Sequence, residues 1–308
     1  MKKRKCKSGN IGKAAAVLLF MAGLSLNCSA QLNPFQYMYF QNRYLLNPAM
    51  AGLNQGLNLN VGYRQQWSNF PGTPKTTSFT ADYRAGEKVG LGINVNDDQS
   101  GLIRSTRAVG TYAYHLPLND QNDHLSFGIS LGVNNSRVDY NKVNGDVSDQ
   151  QISMYNQLKP YVDGDFGVAY NSDKLMISGA IPNLKSTLFK ASDTRFDADL
   201  LVFVGAASYK FDLSNEINSM TLSPIAAFRM IKGYKNIVDA GLNFSLNNYG
   251  LYMQSIYHTN QNMSIGAGLD QKNYALNFAY NLETGRLSNY TRGAFELGLK
   301  LRVFNKAN

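Results

Sequence analysis

From about Gly56 onward the chain alternates. In KVGLGINVND, Lys88 to Asp97, the residues Val89, Leu91, Ile93 and Val95 take turns with Gly90, Gly92, Asn94 and Asn96. An extended strand turns successive side chains to opposite faces, so one face here is aliphatic and the other is glycine and amide. The rule recurs: Leu125, Phe127, Ile129, Leu131 and Val133 alternate with Ser126, Gly128, Ser130, Gly132 and Asn134. Val238, Ala240, Leu242, Phe244 and Leu246 alternate with Asp239, Gly241, Asn243, Ser245 and Asn247. Period two, not 3.6, governs the pattern. It predicts strands near 57–67, 74–84, 88–97, 103–115, 123–136, 161–171, 174–183, 199–211, 219–231, 236–246, 249–258, 262–270, 273–281 and 293–304.

The connections alternate too. Tight ones (85–87, 171–173, 247–248, 270–272) take even places in the order, and the long ones (137–160, 183–197, 282–292) take odd places. An antiparallel meander with short turns at one rim and long loops at the other has this parity, as outer-membrane barrels do. A soluble β-sandwich also alternates, but its outer face must be charged, whereas the second face here is Gly, Ser, Asn and Ala. So many strands in an open sheet would leave edges to protect, and no linker divides the chain. The 19 Tyr and 16 Phe against one Trp suit interfacial aromatic girdles. Lipid admits only helices or closed barrels, and after the first residues no apolar run is long enough for a helix. The fold expected is all-β: a transmembrane antiparallel barrel of about 14 strands.

The first residues change the charge picture. MKKRKCKSGNIGKAAAVLLFMAGLSLNCSA has a basic head, an apolar run from Ala14 to Leu24, and the small residues Cys28 and Ala30 at its end. This is the pattern of a signal peptide over 1–30, cleaved before Gln31. The formal charge of +9 (30 basic, 21 acidic) contains six basic residues from that leader, so 24 − 21 = +3 remain afterwards. The basicity is a targeting feature and gives no reason to expect nucleic acid. Both cysteines, Cys6 and Cys28, leave with it, so disulfides and thiolate metal sites are not expected. Residues 31–56 do not alternate. Pro34 and Pro48 bracket an aromatic run in which Phe35/Tyr39 and Phe40/Tyr44 stand four apart, which predicts a short aromatic helix or extended arm that plugs the barrel of 57–308 or lies at its periplasmic mouth.

Candidate chemistry is thin. Gly128–Ile129–Ser130–Leu131–Gly132 matches G-x-S-x-G but lies within one strand, where a nucleophile elbow cannot form. His115, His124 and His258 show no metal spacing, and His115 and His124 flank a turn where solvation is expected. PGTPKTT lacks the glycine that a phosphate loop needs before Lys75. NDDQSG, from Asn96, lines up oxygens without a closing glutamate and reads as a solvated turn. No enzyme and no cofactor is expected.

Several stretches resemble the PorP/SprF family of type IX secretion outer-membrane proteins. They are FQYMYFQNRYLLNPAMAGL with Asn47 and Pro48, YRQQWSNFPGTPKTTSFTADY with Arg64, Gln66, Trp67, Pro74 and Lys75, GLGINVNDDQSGLIRSTRAVGTYAYHLPL, DGDFGVAYNSDKLMISGAIPNL, and RGAFELGLKL. Where the family usually shows a histidine before the last glutamate, Phe295 precedes Glu296. The resemblance implies a non-enzymatic component of the outer membrane that meets lipid, type IX machinery proteins and secreted cargo with a C-terminal sorting domain. Arg64, Gln66, Trp67, Pro74, Lys75, Asn47 and Pro48 are the residues it marks for partner binding, since Trp and Arg dominate interface anchors. Equally, Trp67 reads as a girdle residue and Arg64 as a lumen charge paired with an acid such as Asp82. A passive porin is the alternative function.

Overall fold

The computed structural model describes residues 37, 39–67, 72–119, 123–142, 150–188, 201–214, 219–232, 235–283 and 293–304. The leader expected over 1–30 lies outside them. Every strand that the alternation predicts is present. In order they are β1 (Leu57–Gln66), β2 (Lys75–Arg84), β3 (Val89–Ser100), β4 (Ile103–Pro117), β5 (His124–Val138), β6 (Tyr161–Asn171), β7 (Leu175–Ile181) and β8 (Leu201–Tyr209). After the two-residue β9 (Phe211–Asp212) come β10 (Met220–Ile231), β11 (Ile237–Leu246), β12 (Leu251–His258), β13 (Asn262–Asp270), β14 (Tyr274–Glu283) and β15 (Ala294–Val303). Each long strand pairs antiparallel with its neighbours in the chain, β8 with β10 across the small β9, and β15 returns to β1 from Leu57↔Val303 to Gln66↔Ala294. The result is a closed fourteen-stranded antiparallel barrel with one extra short strand.

The faces are sorted as lipid demands. Outward stand Val61, Phe79, Ile93, Leu131 and Leu242, with Leu131 in the middle of β5 still 67% exposed. Inward and buried stand Asn58, Asn60, Ser78, Thr80, Asn94, Thr111 and Ser130. A closed cylinder pairs every strand edge, so no ladder amide is left in hydrocarbon. No described helix is long and apolar enough to cross a membrane, and none is needed.

Two places resist the simple pattern, and both have a local cause. Pro224 lies within β10, opposite Leu242 of β11, where its missing N–H should break a ladder bond. On the other side Ile225 pairs with Ser208 and Leu222 with Phe211, leaving Ser223 and Pro224 at the gap between β8 and β9. The proline occupies an interruption in that ladder, whose register shifts again between Met230 and Ile231. Phe304, of the wrong parity to follow Val303, lies beyond the strand end with φ +57° and is 80% exposed.

The segment expected to be a solvated turn at NDDQSG is instead strand up to Ser100. Asp97 binds Arg104 Nε at 2.9 Å and Thr106 Oγ1 at 2.7 Å, and Thr76 Oγ1 donates to Asp98 at 2.6 Å. These carboxylates are engaged by protein groups, and no cluster of metal-ligating residues occurs among the described residues. With 15 residues each in β4 and β5, against about 9–11 needed to span a bilayer, this side of the wall rises beyond the hydrocarbon at the long-loop rim.

Candidate functional site: the plugged lumen and its long-loop rim

The lumen is filled by the residues just before β1. Asn42 accepts from Leu45 N at 3.3 Å and caps a 3-10 turn over Arg43–Leu45. Asn47 accepts from Ala49 N at 2.8 Å and caps a second over Pro48–Met50, with proline in the first position. Where a short helix or an extended arm was expected, the segment makes two single turns. The aromatic side chains that would have stacked on one helix face reach opposite walls instead: Tyr44 Oη donates to Thr111 on β4 at 2.7 Å, and Tyr39 Oη to Asp239 on β11. Phe35 lies outside the described residues.

The glycines of the inner face are seats for this plug. A Cβ on Gly92 would run into the Tyr44 ring, one on Gly266 into Tyr37, one on Gly128 into the Pro48 backbone, and one on Gly167 into Asn47. Gly90 lies under Ala51 O. Hydrogen bonds then fix each contact. Asn42 Nδ2 donates to Thr80 at 3.0 Å, and Gln41 Nε2 to Gln254 at 2.7 Å. Asn47 Nδ2 reaches Val168 O and Gly179 O, both at 3.2 Å. Gly52 N donates to Asp82 at 3.2 Å. His115 Nε2 stands 3.0 Å from Ala51 O, which makes it the donor and leaves Nδ1 for Ser126 at 2.8 Å. His115 is wholly buried, not solvated, because the plug turns back over it. An apolar patch of Met50, Ala49, Met176, Ile225 and Ile256 completes the packing.

Toward the long loops the lumen carries a chain of buried polar groups. Arg229 forks onto Asp239, Nε to Oδ2 and Nη2 to Oδ1, both at 2.7 Å. His258 Nδ1 stands 2.6 Å from Asp239 Oδ1 and its Nε2 2.8 Å from Ser264 Oγ. Ser264 donates to Asn281 Oδ1, Asn281 Nδ2 donates to Glu296 Oε1 at 3.0 Å, and Glu296 pairs with Arg64 Nε at 3.2 Å. Asp239, His258 and Ser264 stand in the order of a serine hydrolase triad. The site lacks its other parts. All three side chains are fully buried, none lines a cavity among those described, and the Ser264 proton is directed to Asn281 rather than to the imidazole. A second pair, Arg107 Nη2 to Asp165 at 2.6 Å, lies on the other side of the lumen.

The sequence-marked residues divide between these regions. Asn47 and Pro48 are buried in the plug, their polar groups used by the wall and the cap. Arg64 points into the lumen but pairs with Glu296 on β15, not with Asp82, which holds Gly52 and Asn58. Gln66 is buried beside it, its amide oxygen accepting from Arg64 Nη2 at 2.7 Å in the orientation that satisfies both groups. Trp67 follows β1 with φ +45°, donates Nε1–H to Glu283 at 2.6 Å, and binds Gly293 O through its backbone N–H at 3.0 Å. Pro74 is buried and accepts from Gln66 N at 3.0 Å, while Lys75 is exposed. The fold therefore gathers Arg64, Gln66, Trp67, Pro74 and Lys75 at the long-loop end of β1 and β2, and separates them from Asn47 and Pro48.

Sequence reading gave Asp163, Asp165, Asp239 and His258 no partner or role, although it set Asp239 on the small-residue face and noted that His258 has no metal spacing. The two aspartates of DGDFG accept from the backbone of the segment after β7: Asp165 from Asn183 N at 3.0 Å and Asp163 from Lys185 N at 2.8 Å. They fold that segment back with Asn183 at φ +56°. A charge in the small-residue face was the available signal.

Comparison with known proteins decides the family. The model of the type IX secretion system membrane protein PorP/SprF matches residues 28–301. The chain belongs to the PorP/SprF family. No curated protein matches this PorP/SprF chain. Among solved structures it is similar to the outer-membrane protein Omp33 of Acinetobacter baumannii, at 8% identity and TM-score 0.46, covering 82% of this chain and 100% of that one. It is also similar to the KdgM porin, at 9% identity and TM-score 0.39, covering 80% and 99%. A monoaromatic hydrocarbon channel, the TodX deltaS2S3 mutant, aligns at 10% identity and TM-score 0.43, covering 84% and 92%. A PorP/SprF protein with this barrel is an outer-membrane protein of the type IX system.

Proposed function

We propose that this PorP/SprF barrel is a non-enzymatic partner protein that binds secretion machinery or secreted cargo at its long-loop rim. In this reading a leader cleaved before Gln31 delivers it, and it serves export or surface retention of proteins with a C-terminal sorting domain. The observation that carries it is the filled lumen: Tyr39, Asn42, Tyr44 and Asn47 each hold the plug to a different part of the wall. That leaves the rims as the surfaces on which to act. Trp67 and exposed Lys75 are the outer members of the cluster at the end of β1, and Arg64 and Gln66 support them from within.

Affinity purification from detergent-solubilised membranes tests this. The native protein should recover type IX components or their cargo, and Trp67→Ala with Lys75→Glu should lose them while the barrel keeps its heat-modifiable band. Recovery of neither by the native protein overturns the reading. The porin alternative draws on the polar cavity at the short-turn mouth, and steady conductance of the native protein in planar bilayers would favour it.

A further inference from the structure

On the outward face of β2 to β5, side chains at every second position line up in rows across the wall. The row nearest the long-loop rim is Lys75, Gln99, Arg104 and Arg137, each directly opposite the next. Beneath it runs Thr77, Asp97, Thr106 and Asn135, and beneath that Phe79, Val95, Ala108 and Val133. The cations therefore stand four residues, about 13 Å, above the first wholly apolar row.

Two arginines directly opposite on neighbouring strands repel. Arg104 gives its Nε to Asp97, at 2.9 and 3.1 Å from the two oxygens. Asp97 also faces Arg137, and Asp139, just past β5, adds a second negative charge near Arg104. Lys75 and Arg137 are exposed and make no hydrogen bond or ion pair among the described residues. Three cations against these two carboxylates leave 3 − 2 = +1, the charge that one phosphate group would neutralise. Guanidinium groups bind phosphate strongly, often through two parallel hydrogen bonds.

Below the cations the same strands leave a groove. Gly110 stands outward on β4 between Ile93 of β3 and Leu131 of β5, and a Cβ on it would meet no atom within 4 Å. The open space there is about 750 Å³, walled by Ala81, Ile93, Tyr112, Ile129 and Leu131. It lies six residues along β4 from Arg104, about 20 Å. In an outer-membrane barrel this part of the wall faces hydrocarbon, so what fills the groove is a lipid chain, and what meets the head of that lipid is the cationic row.

We propose that this face seats one phosphorylated lipid of the outer leaflet, its phosphate between Arg104 and Arg137 and an acyl chain in the groove at Gly110. The residues varied to test it stand outside the rim cluster proposed for partner binding, so the two readings can fail separately. Native mass spectrometry of the full protein purified in detergent tests it, with monophosphoryl lipid A and its dephosphorylated form as probes. The phosphorylated lipid should be retained as a one-to-one adduct roughly tenfold better. Arg137→Gln should bring the two lipids close together, and Arg137→Lys should keep part of the preference. Gly110→Leu fills the groove and should weaken both lipids without changing their ratio. Inorganic phosphate in excess should leave the adduct in place. Every variant must keep the heat-modifiable band of the native protein. Equal retention of the two lipids, a preference that survives Arg104→Gln with Arg137→Gln, or displacement by inorganic phosphate overturns the site. Retention unchanged in Gly110→Leu overturns the groove as its seat.

Discussion

Buried charges on a face otherwise built of glycine, serine and asparagine are the costliest residues in this protein. Arg229 and Asp239 are 3% and 0% exposed, and the fork between them is what makes their burial tolerable. Arg229→Met leaves Asp239 without its cation and should cost about 3–5 kcal/mol. Urea titration of the folded band in detergent would read that loss. Adding Asp239→Leu should return part of it, and a single variant as stable as the native protein would show that the pair is dispensable. These residues also mark where reading the chain stopped short. Period two fixes only which face a side chain takes, and Asp239 was correctly turned inward by that rule. Which inward group meets which depends on strand register, and register is a property of the closed ring. So Arg64 was matched with Asp82 on β2, when its partner is Glu296 on β15, the strand that returns from the far end of the chain.

Among elements, the strands and the plug were legible to different degrees. A strand half in lipid announces itself through alternation, and all the long ones appear within a few residues of where the pattern puts them. Residues 39–52 gave only their aromatic content and one proline, Pro48, because a plug takes its conformation from the wall around it. Its seats were visible as Gly90, Gly92 and Gly128 without any sign of what sits on them. Removing residues 37–52 should turn a silent barrel into a conducting one in planar bilayers. A deletion variant that inserts and stays silent would show that the side chains of the wall close the lumen unaided.

At the scale of the molecule, stability rests on hydrocarbon wetting the outer face. Leu131→Arg, at the middle of β5, should cost about 2–4 kcal/mol, the penalty for a cation near the bilayer midplane, while Leu131→Ala should cost less. Unfolding in phospholipid vesicles would measure both. Equal effects would mean that this face meets protein or water. The architecture follows from the sequence at this scale since faces, strand number and loop parity all point to one closed cylinder.

The ring joins its first strand to its last, and the plug comes earlier in the chain than either. Tyr37 and Tyr44 are lodged against opposite walls, over Gly266 and Gly92. Docking of the N-terminal segment before the final zipping of β15 against β1 would seat those rings without passage through a closed rim. In that order the C-terminal strand would both lock the N-terminal stopper and close the two open edges, β1 and β14, at one stroke.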